Sequence, residues 1–273
     1  MRVTVRSRFK PSVPAALLAA LAGCASQPDL GSSGRWVDLT HSFSAETVYW
    51  PTATPFRLEP VFVGTTEKGF HYEAYQFQAA EHGGTHLDAS NHFSAHGLAV
   101  DRIPLDRLIG PAVVIDVSSN AAKNPDYRVG QDDFAAWEKS HGPIPEEAIV
   151  LLHTGYGRFW PDPVKYLGTA ERGEAAVAKL HFPGLAPEAA RWLAERRRIK
   201  AVGLDTASID YGQSSHFEAH RILSEKRIPI FENVARLGEL PTTGAMVVAL
   251  PMKIEGGSGA PLRIIAWVPG KNR

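Results

Sequence analysis

The sequence predicts an α/β protein built on a mixed sheet. Short apolar runs rich in Val and Ile recur along the chain, most of them bounded by Gly, Pro, Asn or Ser, as buried strands often are. In the second half, helical patterns alternate with these runs. The first half is richer in strand signals than in helical ones, which favours a mixed sheet over a wholly parallel one.

The first strand signal is residues 70–79, FHYEAYQFQA, where Tyr75, Phe77 and Ala79 recur at period two. That alternation describes a half-exposed strand leading straight into residue 82. Continuous apolar runs then predict buried strands at Ala112–Val117, Ile149–His153, Lys200–Leu204, Ile228–Phe231, Met246–Leu250 and Arg263–Val268. Two helices stand out. Pro187–Arg198 opens on proline, a favoured first helical residue, with Glu188 in its first turn. Ser215–Lys226 opens on a serine that can cap it, with Glu218 three residues later. There is no internal repeat.

Upstream of these elements the composition changes. Arg2, Arg6, Arg8 and Lys10 precede a short uncharged apolar run, Val13–Gly23, which is the pattern of a secretory signal. The run is too short to span a bilayer as a helix. Leu21-Ala22-Gly23-Cys24 resembles the bacterial lipobox, in which the cysteine is lipidated and becomes the mature N-terminus. Residues 1–24 are therefore expected to be a lipoprotein signal peptide and Cys24 the lipidation site. Residues 25–34, ASQPDLGSSG, read as a flexible tether, and 35–273 as one folded domain. The expected location is exported, anchored by lipid on the periplasmic face of the bacterial envelope, at the outer membrane.

Composition narrows the chemistry. Cys24 is the only cysteine, so the body has no disulfide and no thiolate nucleophile. Lys and Arg number 29, and so do Asp and Glu. With no basic excess to neutralise phosphates, nucleic acid is not an expected partner.

The densest chemistry lies in residues 82–93, HGGTHLDASNHF. Adjacent Gly83 and Gly84 are costly in a helix, but they suit a sharp turn or close backbone approach. In an extended segment His86 and Asp88, two apart, point to the same side. A glycine turn can swing His82 toward them, and two imidazoles with a carboxylate make a competent divalent-metal site. Spacing alone leaves a solvated, histidine-rich loop as the alternative.

His82-Gly-Gly-Thr-His86-Leu-Asp88-Ala-Ser-Asn-His92-Phe93 resembles the H-x-G-T-H-x-D-x-P-x-H-F motif of the cyclase-like metal-dependent hydrolases, a family that includes bacterial kynurenine formamidase and isatin hydrolase. The likeness runs from about Trp36 to Val268. Ser90 stands where the family has proline, a change that removes no ligand. The resemblance implies a swivelling β/β/α domain with a mixed sheet. It assigns His82, His86 and Asp88 to one metal and His220 to a second, with Asp88 and Glu232 able to bridge them, and it makes His92 the proton-transfer residue. His220 lies on the predicted helix and Glu232 at the exit of the strand Ile228–Phe231, so both can reach one sheet edge. Trp50, in YWPTATPF, resembles a substrate-contacting segment of the family, with Thr52 replacing its usual glycine. Gln213 and His216 are weaker candidates for contact with the site. Asp205, Ser208 and Asp210 are expected to order its loops rather than act chemically.

The function implied is hydrolysis of a C–N amide bond in a small, aromatic formamide, cyclic amide or imide. The cofactor is one or two divalent ions, Zn²⁺ or Mn²⁺, which make hydroxide accessible at neutral pH. His92 would act as general acid and base. A lipid-anchored binding protein without catalysis, or a cyclase or dehydratase using the same centre, are the competing readings. Family likeness also implies a homodimer or homotetramer.

Overall fold

The computed structural model describes residues 33–270. The signal over 1–24, its Cys24, and residues 25–32 of the tether lie outside them. Among the described residues no helix is long and apolar enough to cross a membrane.

The strands are β1 (Gly34–Asp38), β2 (Arg57–Thr65), β3 (His71–Gln78), β4 (His86–Asp88), β5 (Ile109–Asp116), β6 (Arg128–Val129), β7 (Ile149–His153), β8 (Gly184–Leu185), β9 (Ala201–Leu204), β10 (Ile230–Glu232), β11 (Thr243–Pro251) and β12 (Gly259–Pro269). Each of the six apolar runs expected to be strands is one. Eight strands form one sheet in the order β1-β12-β11-β5-β7-β9-β10-β4. The pairs β5–β7, β7–β9 and β9–β10 are parallel and the rest antiparallel, so the sheet is mixed, as expected.

The sheet also closes on itself. β4 pairs with β10 on one side and with the first residues of β12 on the other. The seven strands from β12 round to β4 thus form a barrel, and β1 lies against the rest of β12. Alternation along the strands sorts their side chains into two layers. Ala112, Val114, Leu151, Phe231, Leu87, Ala249 and Ile264 fill the barrel interior. Val113, Ile115, Val150, Leu152, Val202, Leu204 and Ile230 face outward, under Phe134 and Trp137 of the helix Gln131–His141, Ala189 and Ala190 of Pro187–Trp192, and Ala219 and Leu223 of Glu218–Glu225. The helix expected over 187–198 is α-helical to Trp192 and continues as a π-helical turn over Leu193–Arg197.

The strand expected over 70–79 is present as β3, but its partner is β2 rather than the barrel. The two form a hairpin that is exposed on both faces. Leu58, Val61, Val63, Phe70, Tyr72, Tyr75 and Phe77 are all exposed. The half-buried pattern foreseen for β3 fails because nothing within the described chain covers either face.

Candidate metal centre

Three features of the chain bring the site together. The first is the turn before β4. Gly84 adopts a left-handed φ of +59°, and a Cβ there would lie 2.7 Å from the ring of Phe43. The turn carries His82 back over β4, so that its Nδ1 lies 2.6 Å from Asp88 Oδ1.

The second is strand register. Leu87 and Phe231 point into the barrel, so their neighbours His86, Asp88 and Glu232 share the outer face. His86 lies directly opposite Glu232 in the β4–β10 pairing. His86 Nε2 is 3.2 Å from Asp88 Oδ1 and 3.4 Å from Glu232 Oε2.

The third is the helix Glu218–Glu225, which packs over that face. Here one expectation is corrected: Ser215 does not cap it. Ser215 is exposed and lies outside the helix, whose N-cap position is Phe217 in a left-handed conformation with no side-chain cap. Asp210, from the preceding loop, accepts hydrogen bonds from the backbone N–H of Ala219 at 3.0 Å and of His220 at 3.1 Å. It also accepts from His220 Nδ1 at 2.7 Å. One carboxylate therefore both caps the helix and orients the histidine. His220 Nε2 then lies 3.1 Å from both Asp88 Oδ2 and Glu232 Oε1. Asp205 ties a second loop, accepting from the N–H groups of Thr154, Gly155 and Gly157. Both aspartates have the loop-ordering contacts expected of them.

His86, Asp88, His220 and Glu232 are all buried. Burial raises the pKa of Asp88, but the charge of His82 and hydrogen bonds from His220, His82 and His86 reverse this and hold it well below the carboxylate range. In Glu232, burial and the nearby Asp88 charge are outweighed by His220 and His86, and its pKa is lowered. Burial alone would lower His86, but its hydrogen bonds to Asp88 and Glu232 carry it up to about 10. Against the same burial, Asp210, Asp88 and Glu232 push His220 well above its ordinary value. Two buried carboxylates thus demand positive charge from two imidazoles, as protons or as an ion.

The donor set fits an ion. His86 Nδ1 faces the Gly84 carbonyl at 2.9 Å, which can only accept, so Nδ1 carries a proton. His220 Nδ1 donates to Asp210. In the neutral ring each near nitrogen, Nε2, then has the lone pair, aimed at the space between the carboxylates where an ion would take the place of the protons. Anchoring of the remote N–H by a carbonyl or carboxylate is the usual support of a metal-binding histidine. Ligands ~2.0–2.1 Å from a tetrahedral Zn²⁺ lie about 3.3 Å apart, close to the separations found here. His86, Asp88 and Glu232 form one such group of donors, and His82, Asp88 and His92 another.

His92 comes from the short 3₁₀ turn after β4 and stacks on His82 at a centroid distance of 3.8 Å. Burial lowers its pKa to about 4, with Asp88 opposing and His82 adding to the shift, so it is neutral at physiological pH. Above the cluster is a cavity of about 290 Å³. The floor is His82, His86, Asp88, His92, His220 and Glu232, and the walls include Val48, Tyr49, Trp50, Phe93 and Phe217. Trp50, which the resemblance offers as a substrate contact, lines this cavity. Gln213 and His216 are exposed and do not line the cavity. Gln213 is occupied instead with the carbonyl of Leu180. In the sequence, Phe93 has a place at the end of the histidine motif but no assigned role, and Phe217, Asn233 and Ser258 carry no local signal that singles them out.

A seven-strand mixed barrel carrying a buried His/Asp/Glu cluster on its outer face defines the class of protein. The chain belongs to the cyclase family: the model described as "Cyclase: Putative cyclase" matches residues 37–211. Isatin hydrolase of Roseibium aggregatum is 33% identical over 198 residues, covering 69% of this chain and 72% of the relative. Kynurenine formamidase of Salinibacter ruber is 29% identical over 236 residues, covering 84% and 95%. Among solved structures, isatin hydrolase A from Labrenzia aggregata bound to benzyl benzoate aligns with a TM-score of 0.78 at 35% identity, over 86% of this chain and 94% of that one. An isatin hydrolase bound to the product analogue thioisatinate aligns with a TM-score of 0.77 at 29% identity, over 86% and 92%.

Proposed function

We propose that this protein is a metal-dependent amidohydrolase that opens the C–N bond of a small, uncharged aromatic amide, with a cyclic amide of the isatin type preferred over a formylated amino acid. The carrying observation is the cavity itself. Its floor is the His/Asp/Glu cluster, its walls are aromatic and aliphatic, and among the described residues lining it there is no Lys or Arg. A substrate carboxylate would find no Lys or Arg on the walls to hold it away from the floor, whereas a flat neutral ring fits against Trp50, Phe93 and Phe217.

His82, His86, Asp88, His220 and Glu232 would hold one or two divalent ions, Zn²⁺ or Mn²⁺. A bound divalent ion supplies Lewis acidity and makes hydroxide accessible near neutral pH. His92, neutral and beside His82, can accept the proton of the attacking water and return it to the leaving nitrogen. Phe93, whose ring centroid is 4.5 Å from that of His92 and 4.5 Å from that of His220, excludes water around both. Hydrolysis of isatin and of N-formylkynurenine, each measured with and without chelator, tests the reading. Chelator-sensitive turnover of isatin is expected, with a kcat/KM above that for the formylated amino acid. Turnover insensitive to chelator, or the opposite preference, would overturn it.

Two further parts of the reading concern the protein's surroundings. The exposed hairpin β2–β3 supports a homodimer or homotetramer, because an isolated two-stranded ribbon is marginal in water and its apolar side chains call for cover. Light scattering should give a multiple of the monomer mass, and Phe62→Ser with Tyr72→Ser should shift it toward monomer. A monomeric wild-type protein would refute this. The Leu21–Cys24 signal supports a lipid-anchored protein of the outer membrane. Cys24→Ser should abolish lipid labelling and release the protein from the membrane fraction. Wild-type protein recovered soluble in the cytoplasm would refute it.

A further inference from the structure

His82 differs from His86 and His220 in how its remote nitrogen is held. No carbonyl or carboxylate touches it directly. Its Nε2 lies 2.9 Å from the hydroxyl oxygen of Ser258. That hydroxyl is already committed as a donor to Glu81 Oε2 at 2.7 Å, and the Ser258 backbone N–H donates to the same oxygen at 3.0 Å. A hydroxyl has one proton to give. Ser258 Oγ can therefore only accept from His82, so Nε2 carries a proton. Without an ion Nδ1 carries a second proton, donated to Asp88, and with an ion bound Nδ1 would be the nitrogen left to face it.

The backbone is shaped for this contact. Ser258 precedes β12, and its carbonyl accepts from Ala89 N–H at 2.9 Å, which fixes it against the far side of the histidine motif. The next residue, Gly259, passes so close to the imidazole that a Cβ would lie 2.5 Å from His82 Cε1. Only glycine lets the strand pass at that distance. Glu81, one residue before His82, reaches Ser258 across 177 positions of sequence.

We propose that Ser258, held by Glu81, is a positioning residue that sets the tautomer and ring orientation of His82 toward the metal site. The inference depends on the metal-centre reading above. It makes the Gly-Ser-Gly segment at 257–259, silent in the sequence analysis, the outer support of a third histidine. Outer partners of this kind typically govern metal affinity by about 10- to 100-fold.

The test is competition of the full-length protein with a chromophoric chelator for Zn²⁺ and Mn²⁺, in wild type, Ser258→Ala, Ser258→Thr and Glu81→Gln. Ser258→Ala should bind the ion about 10- to 100-fold more weakly. Its metal-free melting temperature should stay near that of the wild type, a pattern that a merely structural role would not produce. Ser258→Thr keeps the hydroxyl and should recover most of the affinity, while Glu81→Gln should fall between. In ¹⁵N-histidine spectra, the metal-loaded wild type should show His82 as the Nε2–H tautomer, and Ser258→Ala should lose that signature. Wild-type protein that takes up no divalent ion would bring down the metal-centre reading and this proposal with it. Wild-type binding matched by Ser258→Ala would sink the proposal alone, as would an Nδ1–H tautomer at His82.

Discussion

Replacing His86 by alanine should remove at least one equivalent of divalent metal and nearly all hydrolysis. His86 is buried, and its Nε2 is the group that faces both Asp88 and Glu232 from within the β4–β10 pairing. Without it, two buried carboxylates lose a partner that must be either a proton carrier or an ion ligand, and an unpaired buried charge is strongly destabilising. Elemental analysis of purified protein beside an isatin hydrolysis assay measures both effects. Full metal content with full rate would put the site elsewhere.

The same geometry sets opposite pH slopes for the ion-free and loaded forms. In the ion-free protein the pKa of His86 is raised to about 10. Its protonated form therefore contributes stability that is fully present below about pH 6.5 and is lost as pH rises through about 10. Metal uptake must displace those protons, so affinity should tighten as pH rises, and binding should release protons into a weakly buffered solution. Melting curves with and without chelator at pH 6 and pH 8 would show the two slopes. Metal affinity unchanged between those values would contradict the protonation of the buried histidines.

What could be read from the chain divides by the range of the interaction. His86 and Asp88 were legible because strand periodicity places residues two apart on one side whatever the tertiary fold. His82 was legible through the glycine turn. His220 and Glu232 came only through likeness to a family, since nothing local marks a helical histidine as belonging to a strand 132 residues away at Asp88. Closure of the sheet was out of reach for a related reason. It depends on β4, three residues long, pairing on both edges, and a three-residue strand has no periodicity to read. β2 was missed because Pro60 and a bulge between Pro60 and Phe62 break its alternation. The helix cap was misassigned to Ser215 because a sequence pattern looks for a cap among neighbours, while the carboxylate that caps this helix lies nine residues before Ala219.

His92→Ala should spare the metal and slow the chemistry. His92 stacks flat on His82, and its position beside Asp88 makes two roles available to it, as a ligand or as a proton carrier. Burial holds the ring neutral at physiological pH, the form that can bind an ion or take a proton from water. We assign it the second role, because His86, Asp88 and Glu232 form a group of donors without it. General acid–base catalysis of this kind supplies ~10²–10⁴-fold in rate, so kcat should fall by that factor in the variant. KM should change less, because the interaction lost belongs mainly to the transition state. His92→Asn is the stricter comparison: it keeps a polar group of similar size against His82 while removing the titratable nitrogen. Stacking makes a structural contribution that alanine removes and asparagine partly preserves. A rate defect shared equally by the two variants, with metal content intact in both, is therefore the signature of proton transfer. Metal loss in both variants would make His92 a ligand. Unchanged turnover with intact metal would make it a bystander, and the acid–base role would have to pass to another group in the cavity.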